Sequence, residues 1–276
     1  MVVSGINKKV CCVLSTRTLL VILAGFMLFS TGCSRTIVRE EFYQSYQVRP
    51  GTVLEIYNPN GPVSVTASDH DEMEITALKE TYRGQSALDQ VDIFIDIGAT
   101  MIIETIHPDD ATNVSVSFDI KVPEDVYLSV IECANGSIDV SGISGDPILT
   151  TSNGNISVSE VAGIVSARSS NGDLLLSGIG SLASLITSNG NITAELLDLG
   201  DDLEIRTSNG SIDLSINPEL AFDLQASTSN GEIDFNNLGL ETTLQEQTNL
   251  IGFMNEGGPR LDITTSNGSI ILAGLQ

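Results

Sequence analysis

Leu185-Ile186-Thr187-Ser188-Asn189-Gly190-Asn191-Ile192-Thr193-Ala194 is the stretch whose reading decides the fold. Apolar and polar residues alternate on both sides of Thr-Ser-Asn-Gly, the period of a β-strand with one buried face. The tetrad recurs at 151–154, 169–172 (as Ser-Ser-Asn-Gly), 207–210, 228–231 and 265–268, and Cys133-Ala134-Asn135-Gly136 is a variant ahead of them. Successive glycines stand 18, 18, 18, 20, 21 and 37 residues apart, so the last interval is close to two periods and one copy there has lost its signature.

The flanks repeat with the tetrad. Two residues after each Gly come Ile138, Ile156, Leu174, Ile192, Ile212, Ile233 and Ile270. Five before it come Ile131, Leu149, Ala167, Leu185, Ile205, Ala226 and Ile263. By parity, the Thr and Asn of the tetrad share the inward side of the strand that carries them. A second corner lies half a period on, at Gly145, Gly163, Gly180, Gly200, Asn217-Pro218 and Gly239.

Two architectures fit. In a hairpin array, Asn-Gly is the preferred type I′ turn, but nothing there requires the preceding Thr-Ser to repeat. In a solenoid, equivalent residues of successive coils stack about 4.8 Å apart, and asparagines in register form an amide ladder. The repeated Thr and Asn therefore favour an all-β fold, a single-stranded parallel β-solenoid (β-helix) with coils of about 18–21 residues. Its expected structural ladder is Asn135, Asn153, Asn171, Asn189, Asn209, Asn230 and Asn267, with Cys133 a small buried stand-in for Thr.

Residues 51–132 hold one clear copy, Asn58-Pro59-Asn60-Gly61, among further alternating segments at 91–97, 101–105 and 114–122. Terminal repeats must differ from internal ones to cover an open hydrophobic end, so this half is expected to be an irregular β-rich amino-terminal cap. The resulting division is a signal peptide over 1–32, a tether over 33–50, the cap over 51–132 and the solenoid over 133–276.

The amino terminus predicts export. Lys8, Lys9 and Arg17 precede an apolar run of about 11 residues, which is short of the roughly 20 a spanning helix needs. Small residues then lead to Cys33. Gly32-Cys33 resembles a lipoprotein signal, in which the cysteine sulfur takes a diacylglycerol, although Ser30 stands where that signal usually has an aliphatic residue. The chain is therefore expected in the cell envelope, outside the cytoplasm and held to a membrane through lipid on Cys33. Only Cys33 and Cys133 remain after processing, so no disulfide framework holds the body.

From Cys33 on, nine Lys and Arg face 36 Asp and Glu, a balance of −27. Such a body is repelled by nucleic acid. Its only histidines, His70 and His107, sit among acidic turn residues, and no zinc spacing, G-x-S-x-G elbow or phosphate-cradling loop occurs. No catalytic residue, cofactor or resident metal is expected. The weak metal candidates are Asp213 and Asp234, which share an offset three after Gly in successive copies, and the Asp69/Asp71 pair; stacked like charges repel unless a cation such as Ca²⁺ intervenes. The sequons at Asn113, Asn135, Asn155, Asn191, Asn209 and Asn267 read as by-products of the repeat, with the motif asparagines expected inside.

The Asn58–Gly61 turn, the strand ending in Lys121-Val122-Pro123 and the Asn-Gly repeats after it resemble the β-strand-repeat family of candidate adhesins, prokaryotic cell-surface lipoproteins of unknown function. The resemblance implies a non-enzymatic surface scaffold that binds an envelope protein or a glycan. Two alternatives stand beside it: an accessory or sensory partner of an envelope signalling system, and a polysaccharide-acting β-helix enzyme. The latter needs clustered Asp, Arg, Lys or His, yet the array from residue 134 on has three arginines and no histidine.

Overall fold

The computed structural model describes residues 36–108 and 113–275. The expected export signal and Cys33 lie outside the described residues. The amino-terminal part runs β1 (Val38–Gln47), β2 (Val53–Asn60), β3 (Val63–Ser68), β4 (Glu72–Thr81), a helical turn α1 (Gln85–Leu88), β5 (Asp92–Ile97), β6 (Thr100–Ile106) and β7 (Val114–Pro123). Each later coil contributes a strand before its Asn-Gly corner and one after. These pairs are β8 (Tyr127–Asn135) with β9 (Ile138–Ser141), β10 (Ile148–Asn153) with β11 (Ile156–Ser159), and β12 (Ile164–Asn171) with β13 (Leu174–Ser177). Next come β14 (Ser181–Ile186) with β15 (Ile192–Leu196), β16 (Leu203–Arg206) with β17 (Ile212–Ile216), and β18 (Phe222–Asn230) with β19 (Ile233–Asn236). A hairpin of β20 (Leu240–Gln245) and β21 (Asn249–Met254) precedes the last pair, β22 (Arg260–Asn267) and β23 (Ile270–Gly274).

The first-of-pair strands stack into one parallel sheet and the second-of-pair strands into another, which is a two-sheet β-solenoid. Register is strict. Leu149 sits between Ile131 and Ala167, and Ile156 between Ile138 and Leu174. Inward positions form aliphatic columns that are almost wholly buried, so each coil's apolar face is covered by its neighbours and by the opposite sheet. That burial is the main stabilising term, at about 25 cal/mol per Å² of apolar surface.

Stack order departs from chain order at both ends. At the carboxyl end β23 lies between β17 and β19, and β22 between β16 and β18. The 37-residue glycine interval therefore hides no degenerate coil. It holds the β20–β21 hairpin, which pairs antiparallel with β18 and covers the end of that sheet. At the amino end the β2–β3 coil is held between the β6–β7 layer and the β8–β9 coil. Antiparallel β4 and β1 extend one sheet and antiparallel β5 the other.

The tether expected over 33–50 is corrected in part. Val38–Gln47 is a ten-residue strand in register with β4, from Val38 opposite Thr81 to Gln47 opposite Glu72. Its charged outward residues masked it as linker. Its inward Val38, Phe42 and Tyr46 pack on the core.

Candidate functional site

The repeated corner joins three bonds per coil. The tetrad hydroxyl points inward and donates to the glycine carbonyl of the preceding coil: Thr151 to Gly136 at 3.0 Å, Ser169 to Gly154 at 3.0 Å and Thr187 to Gly172 at 2.9 Å. Thr207 does the same to Gly190 and Thr265 to Gly210, each at 2.9 Å, and Thr228 to Gly268 at 2.8 Å. The glycine N–H donates to the Asn carbonyl of the following coil, as Gly172 does to Asn189 at 3.0 Å. The asparagine amides supply the third bond. Asn153 donates to Asn135 at 2.8 Å, Asn171 to Asn153 at 2.9 Å, and Asn189 to Asn171 and Asn209 to Asn189 at 2.8 Å. The chain of amides then follows stack order, with Asn267 donating to Asn209 at 2.8 Å and Asn230 to Asn267 at 2.9 Å.

The inward placement of the asparagines is corrected. Thr151, Ser169, Thr187, Thr207, Thr228 and Thr265 are buried, but every ladder asparagine is exposed. Thr151 pairs with Ser169 and Asn153 with Asn171, while the serine between them is skipped. The two-residue parity breaks there, since Ser152 and Asn153, like Ser170 and Asn171, are both exposed, and Asn lies on the outer rim of the corner. The sequons at Asn135, Asn209 and Asn267 accordingly face solvent, not the interior.

The glycine has a purpose other than a left-handed turn. A Cβ on Gly172 would lie 1.9 Å from the Gly154 carbonyl oxygen, and one on Gly154 would lie 2.0 Å from that of Gly136. Neither has a positive φ, so close coil-to-coil approach excludes a side chain there. In the variant copy the buried Cys133 sulfur reaches only to 4.0 Å from the Gly61 oxygen, and burial pushes its thiol up to about 12. At the same register, buried Asn58 donates to both Gly61 and Val116 carbonyls at 2.9 and 2.8 Å.

A second ladder went unread in the sequence. The residues after Gly154, Gly172 and Gly190 carry short acceptors that take the backbone N–H of the next coil: Asn155 from Asp173 at 3.0 Å, Asp173 from Asn191 at 2.7 Å, and Asn191 from Ser211 at 2.9 Å. Its signal in the sequence is the recurrence of Asn, Asp and Ser one past Gly, at 155, 173, 191 and 211.

The metal candidates do not converge. Ile271 occupies the register position between Asp213 and Asp234, because the last coil is inserted there. Asp69 and Asp71 lie in the turn between β3 and β4, where His70 stands 3.7 Å from both Asp69 and Glu74. Among the described residues no group of three or more His, Cys, Asp or Glu has the spacing to hold a metal ion. The outer face of the first-of-pair sheet brings Glu55, Glu104 and Glu132 around Tyr57. Burial, a 3.0 Å bond to Glu55 and these carboxylates hold its phenol above the ordinary range. An open groove of about 340 Å³ lies on that face beside the hairpin, lined by Asp223, Gln225, Thr243, Ile251, Phe253 and Arg260. Arg260 is itself bound to Gln225 and Asp262. Among the described residues no helix is long and apolar enough to cross a membrane.

The sequence profile described as Toastrack DUF4097 matches residues 54–273. No curated protein matches the chain in sequence. Among solved structures, the chain is similar to a candidate cell adhesion protein from Clostridium sporogenes, with 8% identity, 86% of this chain and 100% of that one covered, and a TM-score of 0.41. It is also similar to a candidate adhesin from Bacteroides fragilis, with 9% identity, 86% and 97% coverage, and a TM-score of 0.40.

Proposed function

The chain belongs to the Toastrack DUF4097 family, and from that premise we propose that it is a non-enzymatic cell-envelope protein. It is exported, acylated on Cys33, and presents its β-repeat body as a scaffold for adhesion or binding. One observation carries this reading: in the core copies the tetrad hydroxyl, the Asn amide and the Gly backbone are all engaged in joining one coil to the next. The motif that looks like a recognition loop is thus structural. What differs between coils is the outward residues, such as Thr150, Arg168, Ile186 and Arg206 along one register row. These variable rows are the binding surface, and the partners they suit are an envelope protein or a glycan. A body with a balance of −27 from Cys33 on disfavours nucleic acid.

The test is capture on the acylated chain displayed in vesicles, offered a glycan array and a detergent extract of envelopes. Retention that is lost when Arg168 and Ile186 are both changed to Ser supports the reading. Retention indifferent to changes across both outer faces refutes it, as does turnover of a bound glycan.

A further inference from the structure

The anchor and the first strand are close in sequence, and this fixes which end of the solenoid faces the bilayer. Cys33 precedes Val38 by five residues, a reach of at most about 18 Å even if fully extended. β1 is the outermost strand of its sheet, and β19 is the outermost at the other end, ten inter-strand steps away. At about 4.8 Å per step, β19 stands roughly 48 Å from β1. A lipid at Cys33 can therefore bring the amino-terminal cap to the membrane, while the hairpin end is out of its reach.

The residues at that end suit a bilayer surface. The register places Val38 opposite Thr81, so Ile37 and Tyr82 lie side by side just past the paired strands. Both are solvent-exposed, Tyr82 at 61%. Tyrosine is enriched where membranes meet water, because its ring is apolar and its hydroxyl polar. Arg83 follows, exposed and without an ion pair among the described residues. It is placed to meet lipid phosphate. The other cations nearby are already neutralised: Arg39 binds Glu80 at 2.5 Å and Lys79 lies 3.4 Å from Glu40.

Charge draws neither end to an anionic leaflet: residues 36–132 hold five basic and 18 acidic side chains, and residues 134–276 hold three basic and 18 acidic. Such a leaflet repels the whole body, and only beside the lipid do Ile37, Tyr82 and Arg83 offset that repulsion, so the body is held by this end and pushed away along the rest of its length. We propose that Ile37, Tyr82 and Arg83 form a membrane seat, on which the lipid-anchored solenoid stands with its carboxyl-terminal hairpin pointing away from the bilayer. This inference rests on acylation of Cys33.

The experiment uses the full acylated chain in vesicles of phosphatidylcholine with one fifth phosphatidylglycerol. An environment-sensitive fluorophore is placed at Ser86→Cys beside the seat, or at Glu246→Cys on the hairpin, both exposed positions, and quenched by shallow spin-labelled lipid. Strong quenching at 86 with less than a tenth of it at 246 is the expected result. Ile37→Ser with Tyr82→Ser should cut quenching at 86 at least twofold while mass spectrometry still finds the lipid. Equal quenching at both positions, or none at 86 on a chain shown to carry its lipid, overturns the seat and leaves the anchor standing. An unmodified Cys33 overturns both.

Discussion

Replacing Gly172 by Ala tests whether the corner glycine is required for coil contact or for turning. In most exposed turns with ordinary φ, Gly→Ala stabilises by about 0.4–1 kcal/mol, because it narrows the unfolded ensemble. Gly172 has such a φ, yet its added Cβ would sit 1.9 Å from the Gly154 oxygen and 2.4 Å from its carbonyl carbon. Ordinary contact lies near 3.4 Å and beyond, so the two coils must part by more than an ångström at this corner. Parting strains the Ser169 hydroxyl bond to that same oxygen and the Gly154 N–H bond to Asn171. Two weakened hydrogen bonds at about 1 kcal/mol each, added to overpacking at about 1–3 kcal/mol, give about 3–5 kcal/mol of destabilisation. For a body of this size that lowers Tm by about 6–20 °C. Gly200→Ala is the control, since nothing lies within 4 Å of where its methyl group would sit and its φ is not positive. Thermal melts followed by far-ultraviolet circular dichroism should place Gly172→Ala far below the parent and Gly200→Ala level with it or slightly above. A Gly172→Ala melt within 2 °C of the parent, or equal losses for both, would refute the close-approach argument.

Three further outcomes follow from the same geometry. Asn189→Ala removes one donor to Asn171 and one acceptor for Asn209 on an exposed rim, so a loss of about 1–2 kcal/mol is expected by chemical denaturation; no loss would show that the amide ladder contributes nothing. The buried Cys133 thiol is raised to about 12 when folded, so the unfolded chain ionises first; stability is fully present below about pH 8.5 and falls by up to about 1.4 kcal/mol per pH unit as the pH rises toward the folded value. Cys133→Thr should abolish that component of the alkaline decline, because its hydroxyl has no comparable ionisation, and urea titrations at pH 7 and pH 10 measure the difference. Deleting residues 260–276 takes out the coil between β16–β17 and β18–β19, leaving β16, β17, β18 and β19 each without that partner and exposing Ile205, Leu214 and Phe235; size-exclusion chromatography should find aggregate rather than a shortened monomer.

Much of the solenoid was legible because its signals are local. Alternation fixes which residues of a strand go inward, and the inward residues at 131, 149, 156, 174 and 192 are buried as the pattern requires. Recurrence of Thr as well as Asn-Gly pointed to stacked coils, since only a neighbour above and below gives the hydroxyl a partner. Parity failed at Asn because it holds only while pairing is regular, and the register skips the serine one residue earlier. The metal candidates Asp213 and Asp234 failed for a different reason. Their spacing is a property of chain order, and the stack follows another order.

That reordering has a physical logic that periodicity alone does not encode. Every internal coil is equivalent in pattern, so hydrophobic alternation is satisfied by any stacking sequence. The ends decide. Had the coils stacked in chain order, the β22–β23 coil would lie outside the β18–β19 coil and take the place on β18 that the β20–β21 hairpin occupies. Insertion between β17 and β19 instead buries Ile270 and Leu272 from both sides and leaves the β18–β19 coil outermost. That coil is followed directly by β20 and β21, which fold back antiparallel onto β18. The amino end uses the same device, with β4 and β1 turning antiparallel on β7 and β5 on β6. The four edge strands carry charge: Glu40 and Glu41 on β1, Asp92 and Asp96 on β5, Asp234 on β19 and Glu241 on β20. Charged edges discourage end-to-end growth. A solenoid closed in this way does not lengthen by adding copies of itself, so its length is set by the number of its own coils.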